Sequence, residues 1–318
     1  MKKLLIFTLA AFTAFSLTQC NNADSGPVNS STINSTSSAA KSDNLASNEY
    51  DKAMENVDSL VNQSISDPNK RVAAYNLPCG VVKVVQTGNS FSIQYGDKTP
   101  CGYKKVSGEI KYELKSGTQF SDAGAVLEVT FVDYQVIVNA TGESIIINGK
   151  QLVTNVTGGS LYHLLTTDNT HVKHTVSGEL AVTFVDASGN KVRTRKLHKV
   201  KEWTRTTGIT SLTFEAYGDS ASVWENGYNK EGNPYYTKIN EHFTWVYCSN
   251  RSAFILEKGL AEATFTSKDT PSATGTFTVE AGYNSSGHKA AKDCSADEYL
   301  IRTVIPIIKY DKTEYQLY

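Results

Sequence analysis

The stretch Val-Ser-Gly-Glu-Leu-Ala-Val-Thr-Phe-Val-Asp at residues 176–186 decides the fold class. Its even positions carry the apolar side chains of Val176, Leu180, Val182 and Phe184. Polar side chains fall on odd positions, among them Ser177, Glu179 and Thr183. Because successive residues of a strand point to opposite faces, one face of this segment is apolar and the other polar. The stretch therefore predicts a β-strand that packs one face on a core and turns the other to water.

The same alternation of β-branched and aromatic residues continues over most of the chain after Arg71. Short polar turns separate the alternating runs, at residues 139–142, 157–160, 186–190 and 231–234. Consecutive strands joined by such turns pair as antiparallel neighbours. We therefore predict an all-β fold, an antiparallel meander of long hairpins that forms either a sandwich or an extended sheet.

Two short sequences recur within the β region. Val106–Ile110 is echoed by Val176–Leu180, and Leu127–Asp133 is echoed by Leu180–Asp186. Two partial copies are too few for a solenoid, which needs three or more repeats. The echo instead favours two related β modules, which we place at residues 70–205 and 206–318.

One helix is predicted before the β region, at residues 49–67. Its apolar residues recur at spacings of three and four, at Tyr50, Met54, Val57, Val61 and Ile65. Asn48 can cap its start, and Asp67-Pro68 ends it. The polar face is not rich in Lys or Arg, as it would be in a helix that lies on a membrane. We therefore expect the apolar stripe to pack against the β region.

The N-terminus has the pattern of a secretory signal peptide. Lys2 and Lys3 precede an apolar run from Leu4 to Leu17 that is too short to span a bilayer. The residues that follow, Thr18-Gln19-Cys20, complete a segment that resembles the lipobox of bacterial lipoproteins. We predict a signal peptide at residues 1–19 and a lipid on Cys20. The alternative is a plain signal peptide with Cys20 as an incidental thiol.

Residues 20–48 are dominated by Ser, Asn, Thr and Ala. Such a segment buries too little apolar surface to offset the entropy of ordering it, so we predict a flexible tether. Together with the lipid, it predicts a protein anchored in the cell envelope, at the outer membrane, facing either the periplasm or the cell surface.

The other four cysteines predict two disulfides, because oxidising compartments favour disulfides. The midpoint of Cys79 and Cys101 is residue 90, at the turn of a predicted hairpin. The midpoint of Cys248 and Cys294 is residue 271, in another polar turn. Each bridge would clasp the base of a hairpin and contribute about 3 to 4 kcal/mol. The alternative is four reduced thiols. Zinc is disfavoured, since no Cys-x-x-Cys occurs and a His-x-x-His pair points to opposite faces of a strand.

The segment 191–205 is rich in basic residues at alternate positions. Strand periodicity aligns six of them on one face: Lys191, Arg193, Arg195, Lys199, Lys201 and Arg205. Such a face could bind a polyanion, for example an acidic polysaccharide. We favour the simpler interpretation, a solvated strand face whose charges pair with Asp and Glu on neighbouring strands.

Aromatic residues cluster farther on, and four of them are candidates for stacking on a glycan: Trp224, Tyr235, Tyr236 and Trp245. Because Tyr and Trp are also ordinary strand residues at the edge of a core, we favour a structural role for them.

No catalytic or cofactor motif is present in the sequence. The near balance of 31 basic and 32 acidic residues argues against nucleic acid as a partner. We therefore predict a protein without enzymatic activity, cofactor or metal.

Several short segments resemble a family of uncharacterised, β-rich lipoproteins of Gram-negative bacteria. They are Phe91–Asp97, Cys101, Val106–Ile110, Val129–Tyr134, Ile147–Lys150, Val153–Asn155, Cys248 and Cys294. The resemblance implies lipid anchorage and β structure and supplies no activity. The function expected from the sequence is a structural or binding role in the envelope, with glycan or polyanion binding as the alternative.

Overall fold

In the computed structural model, the described residues are 77–160, 164, 170–187, 189–207, 212–219, 221–248, 253–269, 274–283, 298–304 and 314–317, with nine more between 42 and 53. The predicted signal peptide, Cys20, most of the tether and most of the predicted helix, including Met54, Val57, Val61 and Ile65, lie outside this set.

Fourteen β-strands are found among the described residues of the β region. The first seven are β1 (Val81–Thr87), β2 (Ser90–Cys101), β3 (Lys104–Ser116), β4 (Ala125–Val138), β5 (Ser144–Asn155), β6 (His171–Asp186) and β7 (Gly189–Arg205). The others are β8 (Leu212–Gly218), β9 (Val223–Tyr228), β10 (Pro234–Cys248), β11 (Ala253–Thr266), β12 (Thr274–Tyr283), β13 (Glu298–Val304) and β14 (Glu314–Leu317).

All fourteen strands belong to one antiparallel sheet. They lie in chain order except for β9, which pairs with β7 and β10 beside β8. The all-β meander predicted from the sequence is confirmed, and it takes the form of an extended sheet. The pairing of β7 with β8 carries the sheet across the predicted module boundary at residue 205. The division into two modules stays a prediction.

The hairpin of β6 and β7 is regular over its whole length, from the pair His171 and Thr204 to the pair Asp186 and Gly189. The even-numbered apolar side chains of residues 176–184 are buried, as the alternation predicts. Their face of the sheet carries the main hydrophobic core, which draws on β2 to β7 and includes Ala46, Tyr50 and Ala53 of the helical segment. We call it the covered face, because the helical segment lies on it.

A second hydrophobic core lies farther along the sheet, on β6 to β10. Its rings form a ladder in which Trp203 stacks on Phe214 at 5.0 Å between ring centroids and Phe214 packs on Trp245 at 4.9 Å. His174 connects the two cores, because its ring lies 5.2 Å from Phe120 and 5.1 Å from Trp203.

The recurring Val-Ser-Gly-Glu sequence lies inside strands β3 and β6 rather than at their starts. In β3, Gly108 has a φ of 93°, and the pairing with β4 shifts register between Ser107 and Glu109. A Cβ at Gly108 would collide with the backbone carbonyl of Asp133, so the two strands can approach this closely only with glycine there. Asp133 itself has a φ of 47°, which completes the irregularity on the partner strand.

The helix begins earlier than predicted. Helical residues are described between 42 and 53, so the last residues of the predicted tether are helical. Ser42 and Ala46 are buried in this stretch. The Ser- and Asn-rich composition suggested a segment that could not order itself, but contacts with the sheet supply the stabilisation that the segment lacks alone.

The disulfide predicted between Cys79 and Cys101 is confirmed, with 5.5 Å between the Cα atoms. It closes the end of the β1–β2 hairpin, as the midpoint argument predicts. Cys248 is buried and disulfide-bonded, and the other half of that bridge lies outside the described residues. Its pairing with Cys294 stays a prediction. Cys248 is the last residue of β10 and pairs with Ala253, the first residue of β11, so it lies just before the hairpin of β11 and β12.

Candidate functional site

The helical segment meets the covered face through a cluster of charges, all buried except the partly buried Asp43, which we call the helix–sheet network. Asp43, Glu49 and Asp51 come from the helical segment. The sheet supplies the other five members, Lys104, Arg195, Lys199, Lys201 and Glu225. Four carboxylates thus face four cations.

Arg195 joins the two sides at one end of the network. It is 1% exposed. Its Nη2 donates to Asp43, and its Nη1 donates to Glu225 Oε1 at 2.9 Å. The guanidinium also lies 4.7 Å from the centre of the Tyr235 ring. Its Nε has no hydrogen-bond partner among the described residues.

Lys199 occupies the centre. Its Nζ donates to Asp51 Oδ2 at 2.8 Å and lies 3.8 Å from Glu225 Oε2. The same ammonium sits between two aromatic rings, 4.7 Å from the centre of Tyr50 and 4.6 Å from that of Trp224. Contacts of this kind stabilise a desolvated cation.

Lys104 anchors the helical segment to β3. Its Nζ lies 2.6 Å from both carboxylate oxygens of Glu49. Tyr134 on β4 donates to Glu49 Oε2 at 3.2 Å. Both partners of this pair are buried. The segment is therefore attached to β3 and β7, which are separated by three strands.

Neutral hydrogen bonds add to these attachments. The Tyr112 hydroxyl donates to the backbone carbonyl of Ala53 at 3.0 Å. The hydroxyls of Tyr50 and Tyr235 both donate to Glu225. Glu225 therefore accepts from two tyrosines and contacts two cations, which satisfies a buried carboxylate as its desolvation requires.

Burial and pairing act against each other on the carboxylates. Burial raises the pKa of Glu225, but the nearby Arg195 and Lys199 outweigh it, and the pKa falls below the ordinary value. At Asp43 burial dominates, and its pKa rises to about 6 despite the pairing with Arg195. Asp43 therefore holds its charge less firmly near neutral pH than Glu225 does.

The chemistry of the network is suited to holding the helix in place. Seven of its eight charged side chains are buried, Asp43 is partly buried, and the charges pair with one another. Among the described residues, no group of three or more His, Cys, Asp or Glu side chains could hold a metal ion. Truncating one member would leave an unpaired buried charge, which costs about 3 to 5 kcal/mol.

The six basic residues predicted as a polyanion-binding face divide into two groups. Arg195, Lys199 and Lys201 are buried and belong to the helix–sheet network. The other three are only partly buried, and they are Lys191, Arg193 and Arg205. The acidic partners come from the helical segment as well as from a neighbouring strand. The face is therefore covered rather than solvated, and polyanion binding stays a prediction.

The four aromatic residues predicted to stack on a glycan do not share one exposed surface. Trp245 is buried in the second core, and Trp224 is partly buried beside Lys199. Tyr235 points into the helix–sheet network, whereas its neighbour Tyr236 is 39% exposed. Glycan stacking by this set stays a prediction without a common platform to support it.

The two histidines of the His-x-x-His pair have different environments. His171 Nε2 lies 2.6 Å from Glu202 Oε1 in a partly exposed pair. His174 is buried between Phe120 and Trp203, and its Nε2 has no hydrogen-bond partner among the described residues. Burial and the charge of Lys201 lower the pKa of His174 to about 3.

Sequence reasoning missed the acidic half of the network. Asp43 lies in the predicted tether, and Glu49 and Asp51 lie in the first turn of the predicted helix. Glu225 stood between aromatic candidates. The available signal was the run of basic residues on one face of β7. If that face is buried, it requires a comparable number of negative charges opposite it.

Comparisons with protein-family models, curated proteins and solved structures found no match. The resemblance to β-rich lipoproteins therefore stays a prediction. No helix among the described residues is long and apolar enough to cross a membrane.

Proposed function

We propose that this protein is a lipid-anchored component of the bacterial cell envelope, in which the helical segment fixes the anchor to a large β-sheet. The sheet then has a structural or binding role at the membrane. The single observation that carries the proposal is the pairing of Asp43, Glu49 and Asp51 with buried cations of the sheet, Glu49 and Asp51 being buried themselves.

The position of the network supports a role in attachment. A flexible tether that joined an edge strand would pull on that strand alone. Here the helical segment binds β3 and β7, so a pull on the anchor is distributed over strands inside the sheet. Breaking the attachment requires several buried ion pairs to separate together.

The early start of the helix also limits how far the sheet can stand from the membrane. Cys20 and Ser42 are 22 positions apart. At about 3.5 Å per residue, a fully extended connection spans about 75 Å. Its average span as a random coil would be about 25 Å, which keeps the sheet close to the membrane surface.

The lipid is tested directly by labelling cells with radioactive palmitate. We expect the purified protein to carry label and to sediment with membranes, and Cys20→Ala to abolish both. A variant with Cys79→Ala and Cys101→Ala is the matched control and should keep its label. Label that persists in Cys20→Ala, or membrane association without label, would contradict the proposal.

A further inference from the structure

A depression of about 430 Å³ opens beside the helix–sheet network, between β7 and the turn that joins β9 to β10. It is lined by Val192, Arg193, Thr194, Tyr228, Glu231, Gly232 and Lys268. This volume lies within the range of small-molecule sites. Of the six basic residues predicted as a polyanion-binding face, Arg193 is the one that lines this depression.

The frame of the depression is held in place by backbone hydrogen bonds. The Asn229 amide donates to the Asn233 carbonyl at 2.9 Å, and the Gly232 amide donates to the Asn229 carbonyl at 2.9 Å. The Lys268 amide donates to Asn233 Oδ1 at 3.0 Å, which ties the end of β11 to the same turn. A site on such a frame needs little ordering when a ligand binds.

Arg193 is positioned by the same turn. Its Nε donates to the Asn229 carbonyl at 3.0 Å, and its Nη1 donates to the Val192 carbonyl at 2.8 Å. The guanidinium packs against Gly232, where a Cβ would lie 3.2 Å from Nη2. Two of the three nitrogens are thus used to fix the group, and Nη2 remains at the depression to serve a ligand.

The wall also contains an unused acceptor and an exposed ring. Glu231 Oε2 is buried and has no hydrogen-bond partner among the described residues. Because Glu231 lines the depression, a ligand hydroxyl that reaches this oxygen would relieve the cost of leaving it unpaired. Tyr228 lines the depression and is 48% exposed, and a tyrosine ring can stack on a sugar.

The charges at the depression carry a small positive excess. The lining contains two positive side chains, Lys268 and Arg193, and one negative side chain, Glu231. Nearby, Lys191 and Lys230 both pair with the carboxylate of Asp186. Asp269 offsets part of the Lys268 charge at 2.8 Å. A ligand with one negative charge neutralises this excess, whereas a highly charged one would meet the carboxylates.

From this geometry we infer that the depression binds a hexuronic-acid residue of a glycan. The ring of such a sugar stacks on Tyr228, its carboxylate meets Lys268 and the Nη2 of Arg193, and a hydroxyl donates to Glu231. The inference concerns a site of its own and does not depend on the lipid at Cys20.

Two matched probes test it: methyl glucuronide and methyl glucoside, which differ only in the carboxylate at C6. Titration of the whole protein with each probe is followed by ligand-detected NMR. We expect a Kd of about 1 mM for the glucuronide, the scale for a ligand of about 14 heavy atoms. The glucoside should bind at least about fivefold more weakly, because it lacks the charge.

Three variants locate the site. Lys268→Met should weaken glucuronide binding about fivefold and leave glucoside binding unchanged, and Tyr228→Ala should weaken both. Lys196→Met, an exposed lysine outside the depression, is the control and should change neither. Thermal melting of each variant confirms that it is folded. The inference is overturned if neither sugar shows saturable binding up to about 20 mM, if the two sugars bind equally, or if Lys268→Met and Tyr228→Ala bind like the parent protein.

Discussion

Replacing Lys199 with methionine tests whether the helix–sheet network holds the helical segment on the sheet. The substitution keeps most of the side-chain volume and removes the charge. Asp51 then retains only Lys201, whose Nζ lies 3.8 Å from Oδ1, and Glu225 loses one of its two cations. A buried charge left without its partner costs about 3 to 5 kcal/mol, and the remaining Lys201 places the expected loss at about 3 kcal/mol.

Lys196 on the same strand provides a matched control. It points to the opposite face, and its Nζ lies 3.8 Å from Glu179 with both side chains more than half exposed. An exposed pair of this kind contributes about 0 to 1 kcal/mol. Lys196→Met should therefore lower the free energy of unfolding by less than about 1 kcal/mol.

The assay is urea unfolding followed by circular dichroism and by tryptophan fluorescence, which also reports the loss of the Lys199 contact with Trp224. A third variant, Lys199→Met with Asp51→Leu, removes both partners and should lose less than the sum of the two single changes. Equal small losses for Lys199→Met and Lys196→Met would refute the buried network. Additive losses in the double variant would refute the pairing with Asp51.

Three further predictions concern other sites. His174 has a pKa of about 3 in the folded protein and about 6.5 in the unfolded chain, so protonation favours unfolding as the pH falls below 6.5. The free energy of unfolding lost between pH 7 and pH 5 should therefore be smaller by about 2 kcal/mol in His174→Phe than in the parent protein. An unchanged pH dependence of the free energy of unfolding would count against its burial. Gly108→Ala should lower the free energy of unfolding by several kcal/mol, because its Cβ would collide with the Asp133 carbonyl. Gly142 also has a positive φ but open space around its Cβ position, so Gly142→Ala should lower it by about 1 kcal/mol in the same urea assay. Glu49→Lys should destabilise strongly, and adding Lys104→Glu should restore most of the loss, whereas no rescue in the melting curve would show that the two residues do not pair.

The sequence predicts the sheet well because a strand is indicated by a short-range pattern, the alternation of apolar and polar residues. The alternation at residues 176–186 identifies the buried face of β6, and the polar turns identify its neighbours. The midpoint rule finds Cys79 and Cys101 for the same reason, since residues of one hairpin face each other at a fixed sum of positions. These features require only short-range reasoning.

The helix–sheet network could not be predicted from such short-range patterns. Asp43 and Arg195, which form one of its ion pairs, are 152 positions apart. Periodicity shows that Arg195 and Lys199 share a face of β7, but it does not say whether water or another segment covers that face. It also assigned residues 42–47 to the tether, because the stabilisation of this stretch comes from the sheet and not from its own composition.

The charged character of the contact has a physical consequence for the placement of the helix. Ala46, Tyr50 and Ala53 alone would allow the helical segment to slide along an apolar sheet face, since small apolar contacts discriminate weakly between neighbouring positions. A shift by one turn, about 5.4 Å, would separate Glu49 from Lys104 and leave buried charges unpaired. Buried ion pairs add little net stability compared with apolar contacts, but they penalise every wrong register. A segment that links a membrane anchor to a sheet gains from this property, because a pull on the anchor cannot then move it to a neighbouring position without breaking the pairs.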